Sequence, residues 1–159
     1  MRPPSLLAGE MKVSGAPGRL IIHGLGSCVA VFLYDSGPRV GGLAHILLPS
    51  PPPDATDRLG RYAPTAIASM IEESLRLGAR REALRAKVTG GSRMFAFEID
   101  GERPTIGEKN VAAALTALKT EGIEVIAADT GGDRGRTVTA DLEDGSLTIS
   151  TIRGEPQVL

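Results

Sequence analysis

Gly24-Leu25-Gly26-Ser27-Cys28 runs into Val29-Ala30-Val31-Phe32-Leu33-Tyr34, turns through Asp35-Ser36-Gly37-Pro38-Arg39, and returns as Val40-Gly41-Gly42-Leu43-Ala44-His45-Ile46-Leu47-Leu48. The first run is apolar at every position, as expected of a strand covered on both faces. The link between the runs has turn chemistry, so the two are expected to form an antiparallel hairpin. If Asp35 faces Val40 across the turn, residues whose numbers sum to about 75 lie opposite one another. The chain's single cysteine, Cys28, and one of its two histidines, His45, then become diagonal neighbours on one face. A slip of one residue would put them on opposite faces.

Around this hairpin the chain alternates short apolar runs with turns. Glu10 to Val13 and Leu20 to His23 read as short strands, the second ending at Gly24. Pro49-Ser50-Pro51-Pro52-Pro53 is a stiff exit from the hairpin into a polar loop reaching about Tyr62. Pro64 suits a first helical turn, Ile67, Met70, Ile71 and Leu75 keep helical spacing and Gly78 suits the cap, which predicts a helix over Pro64 to Leu77. Ala86 to Thr89 reads as a strand stopping at Gly90-Gly91-Ser92, with Phe95 and Phe97 just beyond. A second helix is expected from about Gly107 to Glu121, with Val111, Ala114, Leu115 and Leu118 on one side. Ile123 to Ala128 reads as a buried strand emptying into Asp129-Thr130-Gly131-Gly132-Asp133. Val138 to Leu142 and Ser146 to Ile152 read as a hairpin joined by Asp144-Gly145.

With 159 residues the chain fits one domain, and such a domain buries about two-thirds of the surface its unfolded form exposes. One cysteine permits no internal disulfide. No export signal is read at the N-terminus, and no apolar run approaches the roughly 20 residues that cross a bilayer, so a cytoplasmic protein without direct membrane insertion is expected. The net charge of −1, from 18 basic and 19 acidic residues, gives no long-range attraction to nucleic acid. The one basic cluster, Arg76, Arg80, Arg81, Arg85 and Lys87, reads as a solvated face. Without tryptophan, and with five aromatic residues in all, the chain also lacks the stacking platforms of single-strand binders.

A lone cysteine is more often a small buried hydrophobe than a nucleophile. What changes the reading of Cys28 is the glycine-rich approach, because Gly24 and Gly26 leave peptide N–H groups, those around Gly26 and Ser27, free to face a developing oxyanion. A lone strand histidine is likewise more often a core group than a catalyst. Shared with Cys28 on one face, His45 can take the thiol proton and return it to a leaving amine. An active thiol of this kind would be expected to alkylate well below the ordinary thiol range of about 8.5. His23, on the strand entering the Gly24 turn, is expected to face elsewhere. One cysteine and two histidines make no closed zinc site without carboxylates, and no short ligand spacing occurs, so no metal is expected. Gly24-Leu25-Gly26 lacks the last glycine of a dinucleotide fingerprint, and no phosphate-loop Gly-Lys-Ser/Thr is present. No cofactor is therefore expected. Gly90-Gly91 and Gly131-Gly132 read as strand-end turns, with Thr130 and Asp133 available to line a pocket.

These landmarks together resemble the CheD family of chemoreceptor glutamine deamidases over nearly the whole chain. The matching segments are Gly24-Leu25-Gly26-Ser27-Cys28-Val29, Ala44-His45 with Leu48-Pro49, Ile71-Glu72-Glu73 with Leu77-Gly78-Ala79, Gly90-Gly91-Ser92 with Met94-Phe95, Ile106-Gly107 with Asn110-Val111, and Asp129-Thr130-Gly131-Gly132. The resemblance implies a single α/β domain over residues 1–159, with layered sheets flanked by helices in an α-β-β-α-like sandwich similar to the catalytic domain of cytotoxic necrotizing toxins. It implies hydrolysis of glutamine side-chain amides on the cytoplasmic helices of methyl-accepting chemoreceptors, with a CheC-type phosphatase as a binding partner. By the same resemblance Cys28 falls on the nucleophile and His45 on the general base. The family's third residue is a threonine, and its position here is Ile22; Ser27 or a backbone carbonyl are the candidates to orient the imidazole in its place. Cleavage of a glutamyl methyl ester is open to the same machinery. Two other readings remain: a non-catalytic module that binds receptors or a phosphatase, and a cysteine hydrolase acting on a small amide.

Overall fold

The computed structural model describes residues 2–54, 58–95 and 103–159. Phe97 lies outside the described residues. Among the described residues, nine strands and two long helices follow in the order β1 (Met11–Gly15), β2 (Arg19–Leu25), β3 (Val29–Asp35), β4 (Val40–Ile46), α1 (Ala63–Arg76), β5 (Arg85–Gly90), α2 (Ile106–Thr120), β6 (Glu124–Thr130), β7 (Arg136–Asp141), β8 (Leu147–Ser150) and β9 (Gln157–Val158). They build a five-stranded sheet in the order β1-β4-β3-β5-β6 and a four-stranded sheet in the order β2-β7-β8-β9. All neighbours are antiparallel except β5 and β6, which are parallel and joined through α2.

The hairpin adopts the expected register, with Asp35 opposite Val40 and Ala30 opposite His45. Every residue of β4 and all but Tyr34 of β3 are buried, because both faces of this sheet are covered. On one face, Val29, Val31, Leu33, Ala44 and Ile46 pack with Ala66, Ile67 and Met70 of α1 and Ala114 and Leu118 of α2. Gly42 permits this closeness, since a Cβ there would lie 2.7 Å from Val13 Cγ2 and 3.3 Å from Met70 Sδ. On the other face, Ala30, Phe32 and Leu43 pack with Leu20, Ile22, Leu25, Val138 and Leu147 of the second sheet.

Three expectations are corrected. The layers run α-β-β rather than α-β-β-α, since both α1 and α2 lie on the same side of the five-stranded sheet. The outer face of the second sheet is polar: β7 and β8 alternate buried and half-buried residues, the pattern of an antiparallel sheet with one solvated side. β6 is half-exposed rather than buried, with Ile126 52% accessible, because it is the edge strand of its sheet. Both helices begin one residue before their expected starts, and the short β9 had no signal in the sequence.

No helix among the described residues is long and apolar enough to cross a membrane. The side chains of the basic cluster are engaged locally. Arg76 pairs with Glu72 and Glu73, Arg81 with Glu121, and Arg85 with Glu124, while Lys87 donates to the carbonyl oxygens of Gly145 and Leu159.

Candidate active site

β2 belongs to the second sheet and β3 to the first, so the segment 26–28 between them carries the chain from one layer to the other. This crossing needs backbone freedom, and Gly24 has φ +65°. The bend is then held from outside. Ser92 N–H donates to the Gly26 carbonyl and Gly91 N–H to the Cys28 carbonyl, each at 2.9 Å. Gly90, at φ +108°, must be glycine for this contact, since a Cβ would sit 2.4 Å from the Cys28 oxygen. From α2, Asn110 Nδ2 donates to the carbonyls of Ser27, at 3.0 Å, and Leu47, at 3.1 Å.

Cys28 packs half-buried against the inter-sheet core that contains Ala30. His45 is directly opposite Ala30, and Cys28, one residue before the first ladder pair, packs against the same inter-sheet cluster as Ala30 and Leu6, whose carbonyl meets the imidazole. Diagonal neighbours across such a ladder have Cα atoms about 7–8 Å apart, within reach of longer side chains. The register expected from the sequence is present. His23 is exposed on the outer part of β2, away from the buried Ile22.

Ile22 is fully buried among aliphatic side chains, so no hydroxyl orients His45 from that position. His45 Nδ1 instead lies 3.1 Å from the carbonyl oxygen of Leu6. A carbonyl can only accept, which puts the proton on Nδ1 and leaves Nε2 as the basic nitrogen. The lead-in that supplies this oxygen is fixed on both flanks. Leu6 N–H donates to Ile21 O and Ile21 N–H to Pro4 O, while His45 N–H donates to Glu10 O and Gly9 N–H to His45 O. The sequence could not single out Leu6 for this role, because every residue carries a carbonyl. Of the two candidates for orienting the ring, the backbone carbonyl is the one observed.

Since Nδ1 already has an acceptor, Ile22→Thr should bring no gain in turnover. It should instead lower stability by about 1–3 kcal/mol, the cost of a hydroxyl placed in an aliphatic core. Thermal melts and initial rates measured side by side check this; a faster Ile22→Thr enzyme would contradict the assignment of Leu6.

Burial pushes the Cys28 thiol above its ordinary value. Burial also pulls the His45 imidazole down, partly offset by the Leu6 carbonyl and by Glu10. Both directions favour the neutral thiol and neutral imidazole at rest, rather than the low-pH thiolate anticipated from the motif. A neutral imidazole is still a competent base at the moment of attack. The lowered imidazole also links folding to pH. The folded chain binds fewer protons than the unfolded chain below the unfolded histidine value of about 6.5, so stability is fully present above that pH and declines as pH falls beneath it. Denaturant titrations of wild type and His45→Gln between neutral and mildly acidic pH should show this loss shrinking in the variant; identical slopes would contradict it.

Thr130 and Asp133 do not join the pair. Both are exposed, and Asp133 lines a surface depression with Arg134, Gly135, Ile152 and Arg153. Among the described residues no three histidine, cysteine or carboxylate side chains cluster as a metal site would require.

Residues 47–151 match the family model for CheD chemotactic sensory transduction. The "Probable chemoreceptor glutamine deamidase CheD" of Methanococcus vannielii is 46% identical over 125 residues, covering 79% of this chain and 80% of the relative. The "Chemoreceptor glutamine deamidase CheD" of Thermotoga maritima is 41% identical over 150 residues, covering 94% and 92%. Among solved structures, the Bacillus licheniformis hypothetical protein YfiH matches with a TM-score of 0.47 at 15% identity, covering 81% of this chain and 58% of that one. With relatives of this identity spanning most of its length, the chain belongs to the CheD family.

Proposed function

We propose that this protein is a protein-glutamine deamidase acting on chemoreceptors, with Cys28 as nucleophile and His45 as general base. The proposal extends to the whole chain as one catalytic domain working in the cytoplasm. It rests on one observation above the others: His45 stands opposite Ala30 on the face carrying Cys28, with its Nδ1 proton engaged by Leu6 O and Nε2 left basic. The relatives' names supply the substrate class.

In the first half-reaction His45 Nε2 takes the thiol proton as sulfur attacks the glutamine carboxamide carbon. The oxyanion formed is held by N–H groups of the bend around Gly26, Ser27 and Cys28. Collapse breaks the C–N bond, and His45 returns the proton to nitrogen, which departs as ammonia and leaves a thioester on Cys28. In the second, His45 takes a proton from water, hydroxide adds to the thioester carbon, and the C–S bond breaks as the imidazolium returns that proton to sulfur, giving glutamate, the free thiol and neutral His45. The sum is glutamine plus water to glutamate plus ammonia, with no metal or nucleotide taking part. A glutamyl methyl ester would follow the same course, with methanol leaving.

Ile22 favours a second reading, a non-catalytic module that binds receptor helices or a CheC-type phosphatase. The Leu6 carbonyl weakens that reading, since it supplies the orientation that a threonine would give. Mass spectrometry of receptor cytoplasmic fragments incubated with the protein decides between them. Conversion adds about one mass unit at particular glutamines, whereas unchanged fragments that still bind the protein would favour the module.

A further inference from the structure

Three consecutive carbonyls of the nucleophile bend, those of Gly26, Ser27 and Cys28, are each drawn onto a donor elsewhere in the fold. Two of those donors are backbone N–H groups. The third is a side chain, Asn110, and among the described residues it is the one side chain that hydrogen-bonds to this bend. Because a trans peptide is planar, its C=O and the following N–H point in opposite directions. Anchoring the Gly26 carbonyl therefore turns the Ser27 N–H away from Ser92, and anchoring the Ser27 carbonyl turns the Cys28 N–H away from Asn110. Neither N–H takes an acceptor among the described residues.

Asn110 itself is arranged at a local cost. It is fully buried on the inward side of α2, in line with Ala114, Ala117 and Leu118. Its amide directs both donors at carbonyls, Ser27 on one strand of the hairpin and Leu47 on the other, just past the last ladder pair of Val29 and Ile46. The opposite amide orientation would set Oδ1 against two carbonyl oxygens, so this one is fixed by chemistry. The consequence is that Oδ1 is left buried without a partner among the described residues. An unpaired buried acceptor in a helix that could carry alanine there calls for an explanation other than packing. The approach of α2 is equally specific, because Gly107 lies so close to the Gly91 and Ser92 carbonyls that a Cβ would be 2.5 and 2.8 Å from them.

We propose that Asn110 is a positioning residue for the deamidation reaction, holding the Ser27 carbonyl so that the Cys28 N–H faces the oxyanion. This rests on the deamidase reading above and names the group that sets one of its donors. Asn110 touches neither substrate nor sulfur in this role; it acts through the Ser27–Cys28 peptide.

The test compares wild type, Asn110→Ala and Asn110→Asp on receptor fragments. Deamidation kcat and KM are measured beside the rate at which iodoacetamide alkylates Cys28, a displacement that develops no oxyanion. Asn110→Ala should lower kcat by about 10²–10³-fold, the range for losing one oxyanion donor, with KM and the alkylation rate changed by no more than about threefold. Asn110→Asp keeps one donor while its carboxyl is protonated and none once ionised, so its rate relative to wild type should fall as pH rises. That ratio serves if the alanine variant does not fold. A kcat within about threefold of wild type, a flat Asn110→Asp ratio, or kcat and alkylation falling together would overturn the proposal. If wild type itself releases no ammonia, the deamidase reading fails first; an active wild type with an indifferent Asn110→Ala sinks only the present inference.

Discussion

Cys28→Ala is expected to release no ammonia from receptor fragments while keeping the wild-type fold. The sulfur is the only protein atom in the proposed scheme that bonds covalently to the substrate, and the chain has no second cysteine to take its place. Loss of a nucleophile leaves only what the oxyanion donors and binding contribute, orders of magnitude below the intact enzyme. The structural effect should be small. Cys28 is half-buried at the margin of the inter-sheet core, so trimming it to alanine should cost about 1 kcal/mol, in line with an ordinary point substitution. Ammonia assays and a thermal melt on the same preparation separate the two effects. A folded Cys28→Ala protein that still turned over would remove the nucleophile from the account.

His45→Gln should lower kcat by about 10²–10⁴-fold, the usual contribution of a positioned acid–base group. Glutamine keeps much of the bulk on a fully buried strand but cannot carry a proton from sulfur to nitrogen. The pH profile gives the more specific signature. Turnover needs a neutral imidazole, and burial lowers the His45 value, so the acidic limb of the wild-type profile should lie below the ordinary histidine range near 6.5. Deprotonation of the thiol coincides with attack, since burial also disfavours a free thiolate. The alkylation of Cys28 should accordingly accelerate only toward alkaline pH. His45→Gln should lose the acidic limb of the deamidation profile; a variant that kept that limb at a reduced rate would point to another base.

The hairpin that brings the pair together was legible because three signals agreed. Continuous apolar runs marked buried strands, Asp35 to Arg39 marked the turn, and the turn fixed the register that now pairs Ala30 with His45. The helices were legible for similar reasons, Pro64 and Gly78 bracketing one apolar stripe and Gly122 ending the other. What could not be read was long-range placement. The apolar run at Ile123 to Ala128 suits either a central or an edge strand, and only the sheet order makes β6 an edge. The Leu6 carbonyl carries no side-chain signature at all. Asn110 did leave a trace, a polar residue on the apolar stripe of α2 four residues before Ala114, which is the mark of a buried amide with specific partners.

The joint role of sulfur and imidazole is tested most directly by trapping the acyl-enzyme. Protein mixed with a receptor fragment, quenched in acid within one turnover and digested should yield a Cys28 peptide carrying the fragment less ammonia. The same peptide from His45→Gln should be unmodified at that time point. Turnover with no adduct on Cys28 at any quench time, or an adduct on another residue, would contradict the account.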